Sequence, residues 1–191
     1  MNNLDSIDKK KEILAVTWEY LLEKGLSRAS VGELCKEKKI SQSSLYYWFK
    51  DKEDVWVSAG KYGVEKVALT MLEHTIKHAN DLDVYFRTLF DEVNKYKKDV
   101  RLLVQITTSP VYGKTMRETM YGFNPLYEMY AQRLIEMFGC TALQAEIFIY
   151  TIITLVVDYV IWDDREKSQM LLDNLYNSVE SFRGKGEENQ V

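Results

Sequence analysis

Two helix-starting segments lie close together near the beginning of the chain, and they limit the folds open to it. Ser30-Val31-Gly32-Glu33 has the form of a capping box. In that arrangement the Ser30 hydroxyl accepts from the Glu33 amide, and the Glu33 carboxylate accepts from the Ser30 amide. A serine cluster follows from Ser41, and its hydroxyls favour a new helix start over a helix interior. Two short helices in succession indicate a helix-turn-helix.

The second of these helices carries two distinct faces. Helices are predicted over about 31–38 and 42–48, and a third begins after the capping residue Asp51. Leu45 and Phe49 are four residues apart, so they share a face that packs inward. The residues expected to face outward are Gln42, Ser43, Tyr46 and Tyr47.

A longer pattern surrounds this motif over the first quarter to third of the chain. It consists, in order, of Ile13-Leu14-Ala15, Gly25-Leu26, Ser30-Val31, Leu34-Cys35, Ile40-Ser41, Leu45-Tyr46-Tyr47-Trp48-Phe49 and Lys52-Glu53. The residues and their spacing resemble the N-terminal DNA-binding domain of the TetR (tetracycline-repressor-like) family of bacterial transcription regulators. The chain departs from that pattern at Cys35, where the family favours alanine, and at the turn.

The turn between the two helices carries Lys38 and Lys39, where the family usually has a small residue followed by glycine. If Lys39 adopts the left-handed conformation usual there, its side chain costs on the order of 1 kcal/mol.

The resemblance implies that the second helix enters the major groove of DNA. There Gln42 can pair with adenine, while Tyr46 and Tyr47 can combine phosphate hydrogen bonds with contact to thymine methyl groups. The family positions that match Ser30, Ser41, Tyr46, Tyr47 and Lys52 lie at the DNA backbone. The predicted DNA-binding residues are Arg28, Ser30, Ser41, Gln42, Ser43, Ser44, Tyr46, Tyr47 and Lys52.

Charge is distributed unevenly along the chain. Residues 26–52 hold six basic and three acidic side chains, a net charge of +3, although the whole chain carries −4. A small basic surface on an acidic body suits localised phosphate contact. From charge alone, a merely solvated helix surface is the more common explanation.

The rest of the composition predicts an all-α protein. Two prolines and nine glycines in 191 residues leave long uninterrupted segments, and 46% of the residues are hydrophobic. About nine helices are expected. Gly25 should end the first, a capping box of Thr141 and Gln144 should open a later one, and the last should run from about Arg165 to Phe182. The predicted organisation is a helix-turn-helix domain over 1–51, a connecting helix over 52–79, a ligand-binding and dimerisation domain over 80–183, and a disordered tail over 184–191.

Two apolar stripes near the C-terminus have the spacing of packed helices. They are Phe148, Ile152, Leu155, Tyr159 and Trp162, at intervals of 4, 3, 4 and 3, and Leu172, Leu175, Val179 and Phe182, at intervals of 3, 4 and 3. They are predicted to form a homodimer interface, since a twofold dimer reads two half-sites about 34–36 Å apart. Packing within the subunit is the alternative.

Another face of the same helix mixes apolar and polar residues, and we expect it to line a cavity. The predicted ligand-binding residues are Phe86, Phe90, Tyr127, Tyr130, Tyr150, Thr154 and Asp158. Ordinary core packing is the alternative for each of them. The resemblance implies a repressor released from a palindromic operator by a small-molecule effector. Aromatic walls favour an aromatic effector, and Asp158, if it faces the cavity, favours a cationic one.

Other classes of function lack a signature in the sequence. There is no nucleophile elbow, P-loop or dinucleotide-binding motif, so neither an enzyme nor a cofactor is expected. His74 and His78 lack further ligands and are expected to be a solvated pair rather than a metal site. The apolar run 147–161 is too short to span a membrane, and a cytoplasmic protein without membrane contact is expected. A helical small-molecule-binding or interaction protein without DNA binding is the alternative.

Overall fold

The computed structural model describes residues 3–78, 81–120 and 124–187, and these residues form ten helices and no strand. The predicted all-α fold is therefore confirmed, with one helix more than expected. The helices are α1 (Asn3–Lys24), α2 (Val31–Glu37), α3 (Gln42–Trp48), α4 (Lys52–Lys77), α5 (Leu82–Lys95), α6 (Lys97–Thr108), α7 (Gly113–Met120), α8 (Asn124–Phe138), α9 (Ala142–Trp162) and α10 (Arg165–Glu187).

Local capping explains where several helices begin and end. Gly25 ends α1 with φ of 76° and Gly139 ends α8 with φ of 62°, a left-handed conformation that glycine adopts without steric cost. The predicted capping box of α9 is present, because the Thr141 amide donates to Gln144 Oε1 at 2.8 Å and the Gln144 amide donates to Thr141 Oγ1 at 3.3 Å.

Helix α10 is longer than the sequence pattern indicates. It was expected to end near Phe182 but continues to Glu187, four residues into the segment 184–191 that was expected to lack structure. No proline follows Arg165, so nothing in the sequence forces the helix to stop earlier. Residues 188–191 lie outside the described part of the chain.

The chain divides into two compact units whose limits differ from the predicted domains. One unit consists of the described residues of 1–67 and 98–122, and the other consists of those of 68–97 and 123–191. Helix α4 contributes to both units. Helices α6 and α7 belong with α1 to α3, whereas the prediction assigned all of 80–183 to one domain.

The core of the first unit is built around Trp18, which is 1% exposed. Its indole N–H donates to Asp99 Oδ1 at 2.8 Å, and the Lys66 ammonium donates to the same oxygen at 2.9 Å. Helix α4 approaches the indole at Gly63, where a Cβ atom would lie 2.5 Å from the ring. These contacts join α1, α4 and α6 at one point. On α2, the Cys35 side chain is 9% exposed, and burial raises the pKa of its thiol.

The core of the second unit contains aromatic pairs between α5, α9 and α10. Phe86 lies 5.9 Å from Phe148 and 5.0 Å from Tyr176, measured between ring centroids. Phe90 packs 4.8 Å from Tyr159, whose hydroxyl donates to Asn94 Oδ1 at 2.6 Å. The apolar side of α9 that contains Phe148 and Tyr159 is thus turned into its own subunit.

Candidate functional site

Helix α3 presents a polar and aromatic face to solvent. The Ser41 hydroxyl caps it by accepting from the Ser44 amide at 3.0 Å. Leu45 is fully buried and Phe49 is 2% exposed, so they anchor the inner face. Tyr46 and Tyr47 are 43% and 75% exposed. Gln42 and Ser43 are also exposed, so the two faces of α3 have the orientation that the sequence predicted.

The exposed tyrosine at the end of α3 is held by its neighbour. The Tyr47 ring packs edge-on against Trp48, with 4.7 Å between the ring centroids. Trp48 is itself half-buried against the core of the first unit. This contact restricts the rotamers of Tyr47 and leaves most of its surface open to solvent.

The capping box predicted at Ser30 is only half formed, and this part of the prediction is wrong. The Ser30 hydroxyl accepts from the Glu33 amide at 3.2 Å, as expected. However, the Ser30 amide donates to the Tyr20 hydroxyl at 3.1 Å rather than to Glu33. The Tyr20 hydroxyl comes from α1 and occupies the place of the carboxylate.

The Glu33 carboxylate instead joins a polar network between α1 and α2. It accepts from the Tyr20 hydroxyl at 3.2 Å and from the Lys24 ammonium at 3.2 Å. The Lys24 ammonium nitrogen also lies 2.6 Å from Glu37 Oε1. The hydrogen bond that Lys24 donates to Glu33 lowers the pKa of Glu33, and the hydrogen bonds that Lys24 donates to Glu37 and Glu33 raise the pKa of Lys24. The network holds α2 against the C-terminal part of α1.

The basic residues of the segment 26–52 differ in their surroundings. The Lys38 ammonium nitrogen lies 3.3 Å from Glu23 Oε1. Arg28 is exposed, and its Nε–H donates to the Lys24 carbonyl oxygen at 3.0 Å. Lys52 is exposed in the first turn of α4, which Asp51 caps by accepting from the Asp54 amide at 2.9 Å. Lys36, Lys39 and Lys50 are the other exposed cations of this segment.

The turn residue Lys39 has φ of 54°, so it adopts the left-handed conformation considered for this turn. We expect Lys39→Gly to raise the free energy of unfolding by about 0.5–1 kcal/mol, because relief of the Cβ strain exceeds the entropy that glycine loses on folding. Urea titration measures this change. The matched control is Lys36→Gly in α2, which should lower the free energy of unfolding by about 1 kcal/mol. Equal losses in both variants would contradict a strained turn.

Within the described part of the chain, the predicted ligand-binding residues lie in different surroundings. Phe86 is 3% exposed and Phe90 is fully buried, and both belong to the core of the second unit. Tyr150 is 60% exposed. Thr154 is exposed as well, and its hydroxyl donates back to the Tyr150 carbonyl at 2.8 Å. The mixed face of α9 therefore lies on the surface of the unit.

Tyr130 belongs to a chain of hydroxyl groups inside the second unit. The Thr75 hydroxyl donates to the Tyr130 hydroxyl at 3.0 Å, which lies 3.1 Å from the Tyr85 hydroxyl. Burial raises the pKa of both tyrosines. One turn earlier on α8, the Tyr127 hydroxyl is buried and has no hydrogen-bond partner among the described residues. Its ring lies 6.3 Å from that of Tyr150.

Asp158 is half-buried and lies 3.7 Å from the Lys167 ammonium of α10. A neighbouring cation compensates its charge, so the structure gives no support to a preference for cationic effectors. None of the predicted ligand residues lines the open groove of about 660 Å³ between α5 and α10. Its lining residues are Arg87, Arg165, Glu166, Gln169, Met170, Asp173 and Asn174.

The two faces of α9 are oriented differently from the prediction. The face predicted to form a dimer interface is buried within the subunit, and the face predicted to line a cavity is exposed. Of the residues predicted to form a dimer interface, Phe148, Ile152, Leu155 and Tyr159 are at most 8% exposed and pack within the subunit, and Trp162 is 71% exposed. On α10, Leu172 is buried, whereas the side chains of Val179 and Phe182 lie outside the described residues.

The histidine pair also differs from its predicted state. His74 is 5% exposed rather than solvated, and its Nε2 lies 3.4 Å from the Tyr85 carbonyl oxygen. Burial lowers the pKa of His74. The His78 ring is 4.8 Å away, and the described residues contain no group of three or more possible metal ligands.

Helix α9 extends beyond the apolar run 147–161 at both ends. Within the described residues, it is the one helix that is long and apolar enough to span a bilayer, with 21 residues. Core helices of soluble proteins meet the same criterion, and 44% of its most apolar stretch is buried. This helix is therefore only weak support for a membrane span.

Comparison with known families agrees with the geometry of the first unit. Residues 13–58 match the model of the family described as bacterial regulatory proteins, tetR family. The N-terminal segment is therefore similar to that of TetR-family regulators. The match runs from the middle of α1 into the first turns of α4, so it contains the whole helix-turn-helix with its exposed α3.

Two further proteins are similar over most of this chain. The HTH-type transcriptional regulator PksA of Bacillus subtilis (strain 168) is 27% identical over 138 residues, which are 72% of this chain and 58% of that protein. The chain thus spans less than two thirds of this relative. A transcriptional regulator (TerR/AcrR family) from Aquifex aeolicus VF5 has a similar fold, with a TM-score of 0.56 and 22% identity. That likeness covers 90% of this chain and 98% of the other.

Proposed function

We propose that the protein is a sequence-specific DNA-binding transcriptional regulator. The observation that carries this proposal is the face of α3, where Gln42, Tyr46 and Tyr47 are exposed on a helix anchored by Leu45. An exposed helix of this size fits the major groove of B-DNA. The TetR-family match and the similarity to PksA support the same function.

The side chains divide into base-reading and backbone-binding groups. Gln42 offers an amide that pairs with adenine in the major groove, and Ser43 and Ser44 offer hydroxyls to base edges or phosphates. The groups proposed to contact the DNA backbone are Arg28, Ser30, Ser41, Tyr46, Tyr47 and Lys52. Ser30 and Ser41 also cap α2 and α3. Their hydroxyls therefore serve the fold as well as the DNA contact.

Three substitutions test this division. Gln42→Ala should relax preference at one base position, at a cost of about 1–3 kcal/mol there. Tyr47→Ala and Lys52→Ala should weaken binding to every sequence, because phosphate contacts carry no sequence information. Affinities for DNA fragments selected by the wild-type protein, and for their single-base variants, measure both effects. The control is Gln105→Ala, an exposed glutamine of α6. Uniform losses in all three variants would refute base reading by Gln42.

We further propose that two copies associate through the exposed side of α9. Its residues follow one another at the intervals of a helix-packing seam, 4, 3, 4, 3 and 4. They are Leu143, Ile147, Tyr150, Thr154, Val157 and Ile161. Leu143, Ile147, Tyr150 and Ile161 are between 49% and 66% exposed. Large apolar side chains exposed along a helix are stabilised when they are covered, and a second copy can cover these.

Ile147→Glu should convert the dimer into a monomer, because it places two charges in an apolar interface. Sedimentation equilibrium measures the molar mass, and DNA binding should weaken in the same variant because only one half-site is then held. The matched control is Leu69→Glu, since Leu69 is a 50% exposed residue of α4 in the same unit. A dimer that survives Ile147→Glu but dissociates in the control would place the interface elsewhere.

The proposed mode of regulation is repression relieved by a small molecule. The supporting feature is the hydroxyl chain of Tyr85, Tyr130 and Thr75 together with the unpartnered Tyr127 hydroxyl, which can donate to an effector. An effector that binds one conformation better shifts the spacing of the two DNA-reading helices. We propose a cytoplasmic location, where Cys35 and Cys140 stay reduced.

A further inference from the structure

Lys10 of α1 lies at the end of the DNA-reading helix, far from it in sequence. Its ammonium nitrogen is 5.4 Å from the centroid of the Phe49 ring. Phe49 follows α3 directly, and its amide donates to the Leu45 carbonyl at 3.2 Å. The fold therefore places a cation of α1 at the C-terminal end of α3.

Helical periodicity explains why this lysine, and not its neighbours, reaches Phe49. Lys10 lies three and seven residues before Ile13 and Thr17, which are 3% and 0% exposed, so it shares the inward side of α1. It is half-buried, whereas Lys9 and Lys11 are exposed. Its aliphatic stem can follow the apolar surface while the ammonium emerges over the ring.

The ammonium of Lys10 has no carboxylate within ion-pair distance in the described part of the chain. Lys9 differs, because it lies 2.9 Å from Glu12. An aromatic ring attracts a cation without neutralising it, and here it also restricts the position of the ammonium. The charge of Lys10 is thus held in place and remains available to an external anion.

Two further cations follow Phe49 in the sequence. Lys50 and Lys52 are exposed on either side of Asp51, whose carboxylate is engaged with the Asp54 amide. A DNA strand that passes the end of α3 would therefore meet three lysines. Two come from the loop and first turn of α4, and one comes from α1.

We propose that Lys10 binds a phosphate group of the DNA backbone at the C-terminal end of α3. This inference rests on the proposed DNA-binding function. It adds to the interface a residue of α1 that lies outside the helix-turn-helix. Phe49 acts as the positioning residue, since its ring holds the ammonium in place before DNA arrives.

The salt dependence of binding tests this assignment on the whole 191-residue chain. The probe is a duplex selected by the wild-type protein from a random library, and its Kd is measured between about 50 and 200 mM salt. Lys10→Met keeps the apolar stem and removes the charge. Because a dimer carries two copies, the slope of log K against log salt should become shallower by about 1.8. Lys10→Arg should keep the wild-type slope, and so should the control Lys11→Met.

Melting temperatures of the same variants separate phosphate contact from packing. A Lys10→Met protein that melts earlier but retains the wild-type salt slope would overturn the proposal, because Lys10 would then serve only the contact between α1 and Phe49. Equal changes of slope in Lys10→Met and Lys11→Met would also overturn it, since the salt dependence would then not distinguish the lysine beside Phe49 from an exposed neighbour. A wild-type protein that selects no duplex would instead refute the DNA-binding function itself.

Discussion

Asp99→Ala is expected to lower the free energy of unfolding by about 3 kcal/mol. The substitution removes the acceptor of the Trp18 indole N–H, which is buried, and the carboxylate that faces the Lys66 ammonium. A buried donor without a partner costs about 1–3 kcal/mol, and loss of the charged partner adds to it. Urea or guanidinium titration, followed by the fluorescence of the buried tryptophans, measures the change.

Two companion variants make this result specific. Asp99→Asn keeps an acceptor for the Trp18 indole and removes the charge, so its loss should be smaller. Glu23→Ala removes an exposed carboxylate that pairs with Lys38, and surface pairs of this kind contribute about 0–1 kcal/mol. If Asp99→Ala and Glu23→Ala had the same effect, the contact between α1, α4 and α6 at Asp99 would not stabilise the first unit.

Gly63→Ala should lower the free energy of unfolding by about 2–3 kcal/mol. The added Cβ would lie 2.5 Å from two carbon atoms of the Trp18 ring, and that ring is 1% exposed and held by its hydrogen bond to Asp99. Helices α1 and α4 must then separate locally, which weakens the packing around the indole. Thermal and chemical denaturation measure the loss.

The matched control is Gly32→Ala on α2. Beyond its chain neighbours and its own helix backbone, no atom lies within 4 Å of the position that the added Cβ would take. Its backbone is helical, so the variant should gain about 0.5–1 kcal/mol. A second variant, Trp18→Leu, opens space for the new methyl group. The double variant Gly63→Ala with Trp18→Leu should then lose less than the sum of the two single losses. Strict additivity would contradict the steric explanation.

Several helix boundaries could be predicted because their causes are local. Gly25 ends α1 through its own backbone freedom, and Thr141 with Gln144 starts α9 through hydrogen bonds within one turn. The same applies to the orientation of α3, since Leu45 and Phe49 are the apolar residues of one of its sides. Each of these features is decided by residues close together in the sequence.

The features that sequence reasoning missed depend on partners distant in the chain. Nothing around Ser30 shows that its amide binds Tyr20, because that hydroxyl belongs to α1. Asp99 has the position of an acidic residue in the first turn of α6, yet it is buried against Trp18. On α9, both sides are apolar, so spacing defines two faces but does not decide which one its own subunit covers.

Chemical labelling of the buried Cys35 thiol can report local unfolding of the first unit. A thiol reagent attacks the thiolate, and burial both shields this sulfur and disfavours its ionised form. Alkylation of Cys35 therefore requires α2 to detach transiently from α1, and its rate follows how often that opening occurs. Duplex DNA that clamps α2 and α3 would slow the labelling, so mass spectrometry could follow operator occupancy without an added fluorophore.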